Sequence, residues 1–329
     1  MTVKTGVGIL GIGTALPSRV VTNFDLEKNL DTSDEWIRTR TGICERRIAE
    51  EGVFTSDLAT EAARAALQDA AAVADEIDMI ILATVTPDAP LPATACYVQA
   101  KLGAFRAAAF DVVAGCTGFI YALSVARQFV ASGSCRRVLV IGAEILSRIL
   151  DWSDRTTCVL FGDGAGAVLL GPVPQGQGLL SFKLGSDGTY ADVLAIPAGG
   201  TRLPTSVATA EARLHYVKMA GNEVFKFAVR VIGDVTIQAL EEIGLTAADL
   251  DFLVPHQANR RIIEAARKRF ELPEERIIVN IDRYGNMSAA SIPVALYEAI
   301  RSGRLKRGDL VSMVGFGAGL TWGAAIMRY

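Results

Sequence analysis

Apolar residues in this chain fall into short runs separated by stretches at helical spacing, and this alternation continues from end to end. Val7–Thr14 reads as a first strand. Ser56–Ala72 reads as an alanine-rich helix with Ser56 as N-cap, and Ile77–Thr86 as a strand. A loop over Pro87–Pro92 leads to a helix over Thr94–Leu102 and a β-type run over Ala107–Val113. After the small-residue turn Ala114-Gly115, a stripe of Phe119, Leu123, Ala126 and Val130 marks one face of an interior helix, which Ser132-Gly133 stops. Val138–Ala143 is a strand, Thr156–Leu170 a glycine turn entering a strand, and Gly171–Gly178 the clearest break.

Past the break, Ala220, Val224, Phe227, Val231 and Val235 stripe a long helix over Tyr216–Ile243. A short strand at Phe252–Val254 ends in Pro255-His256-Gln257, and Asn259–Phe270 is helical. Ile277–Asn280 is a strand, Ser288–Ile300 a helix, Leu310–Val314 a strand, Gly315–Gly319 a turn and Trp322–Tyr329 a closing strand. The halves resemble each other. Ala66-Leu67 followed by Asp75-Glu76-Ile77-Asp78 recurs as Ala239-Leu240 followed by Ala248-Asp249-Leu250-Asp251. Phe161-Gly162-Asp163-Gly164 is echoed, at a shorter offset, by Phe316-Gly317-Ala318-Gly319. This order argues for an internal duplication, with halves at 1–175 and 176–329, each carrying a mostly parallel sheet with crossover helices. Cys116, His256 and Asn286 then fall after strands, where such sheets place their sites.

Composition narrows the classes. With 329 residues, half of them hydrophobic, the chain can bury a large core as two domains or one large α/β unit. A net charge of −3 and few aromatics give no nucleic-acid signature. Leu310–Met327, a long uncharged stretch, carries four glycines and suits no membrane helix. The apolar N-terminus is broken by glycines and a proline, so it reads as strand and turn rather than signal peptide. Five scattered cysteines suggest neither a disulfide framework nor a metal site, and fit a reducing cytoplasm. Gly11-Ile12-Gly13 lacks the third glycine and helix start of a dinucleotide loop.

The chemistry centres on Cys116. At the amino end of a helix, unpaired N–H groups and the helix dipole lower a thiol's pKa. The other reading of a cysteine in an apolar segment is a small core residue. His256 and His215 are the only imidazoles that could partner it. Thr32–Arg47, a loop or short helix, sets Trp36 among arginines. It reads either as a base-stacking, phosphate-gripping patch or as a half-buried tryptophan with solvated charges.

AGCTGF, PHQANRR, YGNMSAASIP and GFGAGLTWGAA, with TSDEWIRTRTGI and FGDGAGA, resemble the signature segments of the β-ketoacyl-acyl carrier protein synthase III family, and the resemblance spans the chain. It implies a thiolase-like α/β fold of two pseudo-repeated halves in a five-layered α-β-α-β-α arrangement, usually a homodimer. It implies an initiating condensing enzyme of type II fatty-acid synthesis. Cys116 would take a starter acyl group from acyl-CoA. His256 and Asn286 would bind the carbonyl of malonyl-acyl carrier protein as it loses CO2. Backbone N–H groups of Cys116 and Ala318 would form the second oxyanion hole. Thr32, Trp36, Arg40 and Arg155 would hold the nucleotide end of CoA, and Asn222 and Asn259 the pantetheine arm. Lys226, Arg261 and Arg269 would receive the acidic carrier protein; Leu91 and Phe316 would border the acyl pocket. No permanently bound cofactor or metal, and no nucleic-acid or membrane partner, is expected. Related elongating synthases and thiolases use a second histidine or cysteine in the C-terminal half. Here Asn286 takes that place. A related starter acyltransferase of a secondary pathway is the alternative. Cys44 stands where the family usually has arginine, and Ala318 where it often has glycine.

Overall fold

The computed structural model describes residues 5–329. Two sheets carry the core. The first is built from β1 (Gly6–Ala15), β2 (Met79–Ala83), β3 (Ala108–Val112), β4 (Val138–Glu144) and β5 (Gly164–Val173), in the order β1-β5-β4-β2-β3. The second contains β6 (Gly178–Ser186), β7 (Phe252–Pro255), β8 (Leu310–Gly317) and β9 (Thr321–Arg328), in the order β6-β9-β8-β7. A parallel bridge between Leu253 and Ile277 stands where a fifth strand would complete the second sheet. The expected strand over Ile277–Asn280 is reduced to that bridge, because a short helix begins at Ile281.

The duplication is visible in this order. Each half runs antiparallel, antiparallel, parallel, parallel across its sheet. The expectation of mostly parallel sheets is therefore corrected: β8 and β9 join through a tight hairpin, which permits only antiparallel pairing. Equivalent residues lie 173 apart: Met79 pairs with Val138 as Phe252 pairs with Val311. Asp78 and Asp251 both close this pairing, each accepting a backbone N–H at the start of the neighbouring strand, from Arg137 at 2.9 Å and from Leu310 at 2.8 Å.

Helices complete five layers. α1 (Asp34–Thr41) lies outside them, capped by the Ser33 side chain. α2 (Thr55–Asp69) and α3 (Thr94–Leu102) cover the outer face of the first sheet. α4 (Gly118–Ala131) and α7 (Ser291–Arg301) fill the space between the sheets, and α5 (Gly221–Glu241) and α6 (Arg260–Arg269) cover the second sheet's outer face. Strand alternation sets the sides: Ile81 and Ala83 face the central helices, while Ile80 and Leu82 face α2 and α3. α2 begins one residue before the expected cap. Phe54 is its N-cap, Asp57 accepts the Phe54 N–H at 2.9 Å, and Ser56 lies inside the helix. α5 starts at Gly221 rather than Tyr216, because Lys218–Met219 pairs with Leu194–Ala195 in a small ribbon.

Candidate active site

Cys116 lies in the 3-10 turn Gly115–Thr117 that opens α4, as the sequence places it. Gly115 has φ +55°, and a Cβ there would stand 2.7 Å from the Ala318 nitrogen. A Cβ on Gly317 would overlap the Cys116 amide nitrogen. The β8–β9 hairpin thus packs backbone to backbone on the cysteine turn, bringing Ala318 beside it. Thr321 ties the contact, donating to the Ala114 carbonyl at 2.9 Å and meeting the Thr117 hydroxyl at 3.0 Å.

His256 leaves the end of β7, with its N–H on the Val314 carbonyl at 2.8 Å. Its ring is buried against the edge of Phe316, 5.7 Å between centroids, and neither ring nitrogen has a protein partner. Burial pushes its pKa down to about 3, so the imidazole is neutral at physiological pH. Asn286 is held by its backbone: its N–H donates to Leu160 and its carbonyl accepts from Gly162. Its side-chain oxygen accepts the Ser288 N–H at 2.8 Å, which fixes the amide's orientation and leaves its NH2 group to donate.

Two cavities meet at Cys116. One, of about 90 Å³, brings together Cys116, His256, Asn286, Phe316 and Asn259. The other, of about 230 Å³, is almost wholly apolar and runs from Cys116 past Val85, Leu146, Ile149, Ile196 and Val217. Sequence reasoning missed this chamber, since its walls come from scattered loops. Buried Asp163 of the FGDGAGA segment braces one of them, accepting from Ser147 N–H at 2.9 Å and Ser147 Oγ at 2.6 Å. Phe316 stands on the His256 side rather than in the apolar chamber. Leu91 is 85% exposed and lines neither cavity, so the expectation that it borders the acyl pocket is not met within one chain.

The expectation of an acidic Cys116 thiol is corrected. Burial pushes it up to about 12, and the nearby Glu144 charge adds to the effect. The helix terminus is present, but the thiol beside it is buried, and burial favours its neutral form.

The nucleotide patch assembles from distant segments. The guanidinium groups of Arg40 and Arg155 lie 5.7 and 5.6 Å from the Trp36 ring centre. Arg155 also contacts Asp31, beside Thr32, whose buried hydroxyl has no partner. Asn259 caps α6 and donates to the Arg40 carbonyl at 3.0 Å, so it links this patch to the cavity it lines. Asn222 is exposed in the first turn of α5, next to cavity-lining Gly221. Lys226 is exposed on the same helix, and Arg261 lies 5.3 Å over the Phe225 ring. Arg269 is committed to Asp234 at 2.5 Å and the Arg230 carbonyl at 3.1 Å.

Comparison with known proteins gives a consistent picture. The family model described as 3-oxoacyl-[acyl-carrier-protein (ACP)] synthase III matches residues 110–188, and the model for its C-terminal part matches residues 240–329. A beta-ketoacyl-[acyl-carrier-protein] synthase III from Caldanaerobacter subterraneus subsp. tengcongensis is 58% identical, covering 99% of this chain and 98% of the relative. The protein of the same name from Symbiobacterium thermophilum is also 58% identical, over 98% of both chains. The crystal structure of the Thermus thermophilus synthase III superposes with a TM-score of 0.92 at 52% identity, covering 98% of this chain and 99% of that one.

Proposed function

Because the chain belongs to the 3-oxoacyl-[acyl-carrier-protein] synthase III family, the acyltransferases that initiate type II fatty-acid synthesis by condensation, we propose that Cys116, His256 and Asn286 carry its reaction. The supporting observation is that all three line one cavity, although they come from different halves of the chain. Acyl-CoA supplies the starter, and malonyl-acyl carrier protein the extender. Residues 1–175 contribute the nucleophile, and residues 176–329 contribute the histidine and asparagine.

The first step exchanges one thioester for another. Cys116 sulfur attacks the starter carbonyl, and the backbone N–H groups of Cys116 and Ala318 receive the oxyanion. Pantetheine enters beside Asn222 and Asn259, with the adenine against Trp36 and Arg155 near Thr32 and Arg40. The acyl tail turns into the apolar chamber. At about 30 Å³ per water-sized group, its 230 Å³ holds roughly eight such groups, so short linear or branched starters fit.

In the second step malonyl-acyl carrier protein occupies the pantetheine channel. Lys226 and Arg261 attract its acidic surface. As CO2 departs, negative charge moves onto the thioester oxygen. A neutral imidazole N–H and the Asn286 NH2 stabilise that charge without delivering a proton. The carbanion then attacks acyl-Cys116, giving a β-ketoacyl-carrier protein. Presence of both donors favours condensation over plain acyl transfer.

A homodimer is proposed through β3. That strand is the free edge of the first sheet, and Phe105 and Val113 flank it at 75% and 77% exposed. Five free cysteines, and no helix among the described residues long and apolar enough to cross a membrane, accord with a cytoplasmic setting.

The test is a panel of acyl-CoAs, with the Cys116 adduct read by mass. Malonyl-acyl carrier protein is then added and CO2 and β-ketoacyl product are measured. One acyl mass on Cys116, discharged as product, is expected. Failure of every acyl-CoA to load Cys116 would overturn the assignment.

A further inference from the structure

Two buried groups beside Cys116 have no part in the reaction as described. Glu144, at the end of β4, is fully buried with no cationic partner in contact. Its Oε2 accepts from Thr84 Oγ1 at 3.1 Å, Val85 N–H at 3.0 Å and Thr86 Oγ1 at 2.7 Å. Its Oε1 has only a 3.3 Å contact with the same Val85 N–H. Ser288, in the turn before α7, is 2% exposed and lines the apolar chamber with Cys116. The turn that carries Ser288 packs on β4, since a Cβ on Gly142 would overlap the Ala289 carbonyl, and strand alternation puts Glu144 on the same face as Gly142. The Ser288 hydroxyl in that turn closes no hydrogen bond.

The backbone at Ser288 makes the hydroxyl harder to dismiss. Its φ is +45°, a left-handed conformation that glycine adopts freely and serine only at a cost. The 173-residue offset identifies its counterpart in the first half as Gly115, with φ +55°. Both residues open the 3-10 turn that leads into a central helix. One half meets this geometry with glycine, and the other with a serine whose hydroxyl is buried and unpartnered beside the nucleophile.

We infer that Ser288 and Glu144 form a proton relay for Cys116 during acyl loading. This rests on the acyl-transfer reading above. As sulfur attacks the starter thioester, the S–H proton passes to Ser288 Oγ, and the Ser288 proton passes to Glu144 Oε1. The new S–C bond forms and the C–S bond to pantetheine breaks. The departing thiolate recovers the proton from Glu144 through Ser288, leaving the relay as it began. The relay answers the difficulty posed by a buried, protonated thiol. The groups facing the Glu144 carboxyl are Thr84, Val85 and Thr86 on one side and Ser288 and Cys116 on the other, and of these only Cys116 titrates.

The experiment is single-turnover loading of Cys116 from acetyl-CoA, followed by mass, in wild type, Ser288→Gly, Glu144→Gln and the double variant. Ser288→Gly removes the hydroxyl while relieving the backbone, so a misfolded turn does not explain a loss. Each single variant is expected to slow loading about 100-fold or more, with the half-saturating acetyl-CoA concentration held. The double variant is expected to be no slower than either single one. The pH dependence of loading that follows Glu144 ionisation is expected to vanish in Glu144→Gln. Loading of Ser288→Gly at the wild-type rate, or multiplying losses in the double variant, would refute the relay alone. Should Ser288→Gly not fold, a wild-type rate in Glu144→Gln refutes it equally. Wild type that loads from no acyl-CoA would sink the acyl-transfer reading and the relay with it.

Discussion

Replacing Asn286 by alanine separates the two chemical steps. The residue is buried, and its side-chain oxygen is occupied by the Ser288 N–H at 2.8 Å. Its NH2 is therefore one of two donors for the oxygen that becomes negative as malonate loses CO2. Loss of one such donor costs about 10²–10³-fold in rate, or about 3–4 kcal/mol. Acyl loading uses the backbone donors on the other side of Cys116 and should continue. The substitution also leaves the Ser288 N–H unpaired, at a cost of about 1–3 kcal/mol in stability. Asn286→Asp separates these effects, because a carboxylate still accepts from Ser288 while losing the donor. It should be more stable than the alanine variant and at least as slow in condensation. The assay measures Cys116 loading by mass, CO2 release from malonyl-acyl carrier protein, and thermal unfolding. Condensation by Asn286→Ala within a few-fold of wild type, with normal loading, would refute the donor role.

Four further outcomes are expected. Between about pH 6.5 and 3 the unfolded state protonates His256 while the folded state does not, so stability should fall as pH drops through that window. Denaturant titrations should show that part of the slope missing from His256→Gln. Gly317→Ala puts a methyl group against the Cys116 amide nitrogen; it should destabilise by about 1–3 kcal/mol and slow loading in the same mass assay. Trp36→Ala removes the surface on which Arg40 and Arg155 stack, and a stack worth about 1 kcal/mol predicts a roughly fivefold rise in half-saturating acyl-CoA. The same measurement with malonyl-acyl carrier protein should not change. Val217→Phe narrows the apolar chamber, so the acyl-CoA panel should lose its longest accepted starters first while acetyl loading persists.

Periodicity revealed the long elements because burial on one face imposes a repeat that composition can carry. The stripe Phe119, Leu123, Ala126 and Val130 is buried along α4. The motif positions Cys116, His256 and Asn286 meet at one cavity because each lies at an element boundary the hydrophobic pattern marks. What stayed hidden depended on three dimensions. The apolar chamber draws on Leu194, Ile196 and Val217, from an irregular segment without a period. Ser56 has the chemistry of a cap, but Asp57 supplies the local hydrogen bond one residue further on. The thiol's ionisation is not legible in the sequence, which shows the helix start and not the depth of burial. Glu144 and Ser288 resembled a strand end and a helix start, and only their proximity gives them a role.

The duplicated halves explain why one site forms rather than two. At the 173-residue offset, Cys116 corresponds to Ala289, His256 to Ala83, and Glu144 to Gly317. Each of these three polar groups has a counterpart reduced to alanine or glycine, whereas Asn286 corresponds to exposed Val113, and the packing shows the reason for the three. A Cβ at Gly317 would overlap the Cys116 amide; one at Gly142 would overlap the Ala289 carbonyl; one at Gly118 would stand 3.1 Å from the Ala83 Cβ and 3.7 Å from the Ala289 Cβ. The central helix starts come together too closely for both members of a pair to carry a large side chain. A nucleophile in one half therefore requires a small residue in the other. The free space beside it then lies open to an imidazole or carboxyl from a different position. Asymmetry between the halves follows from packing at their junction, and the cavity holding Cys116, His256 and Asn286 occupies the room that the small residues leave.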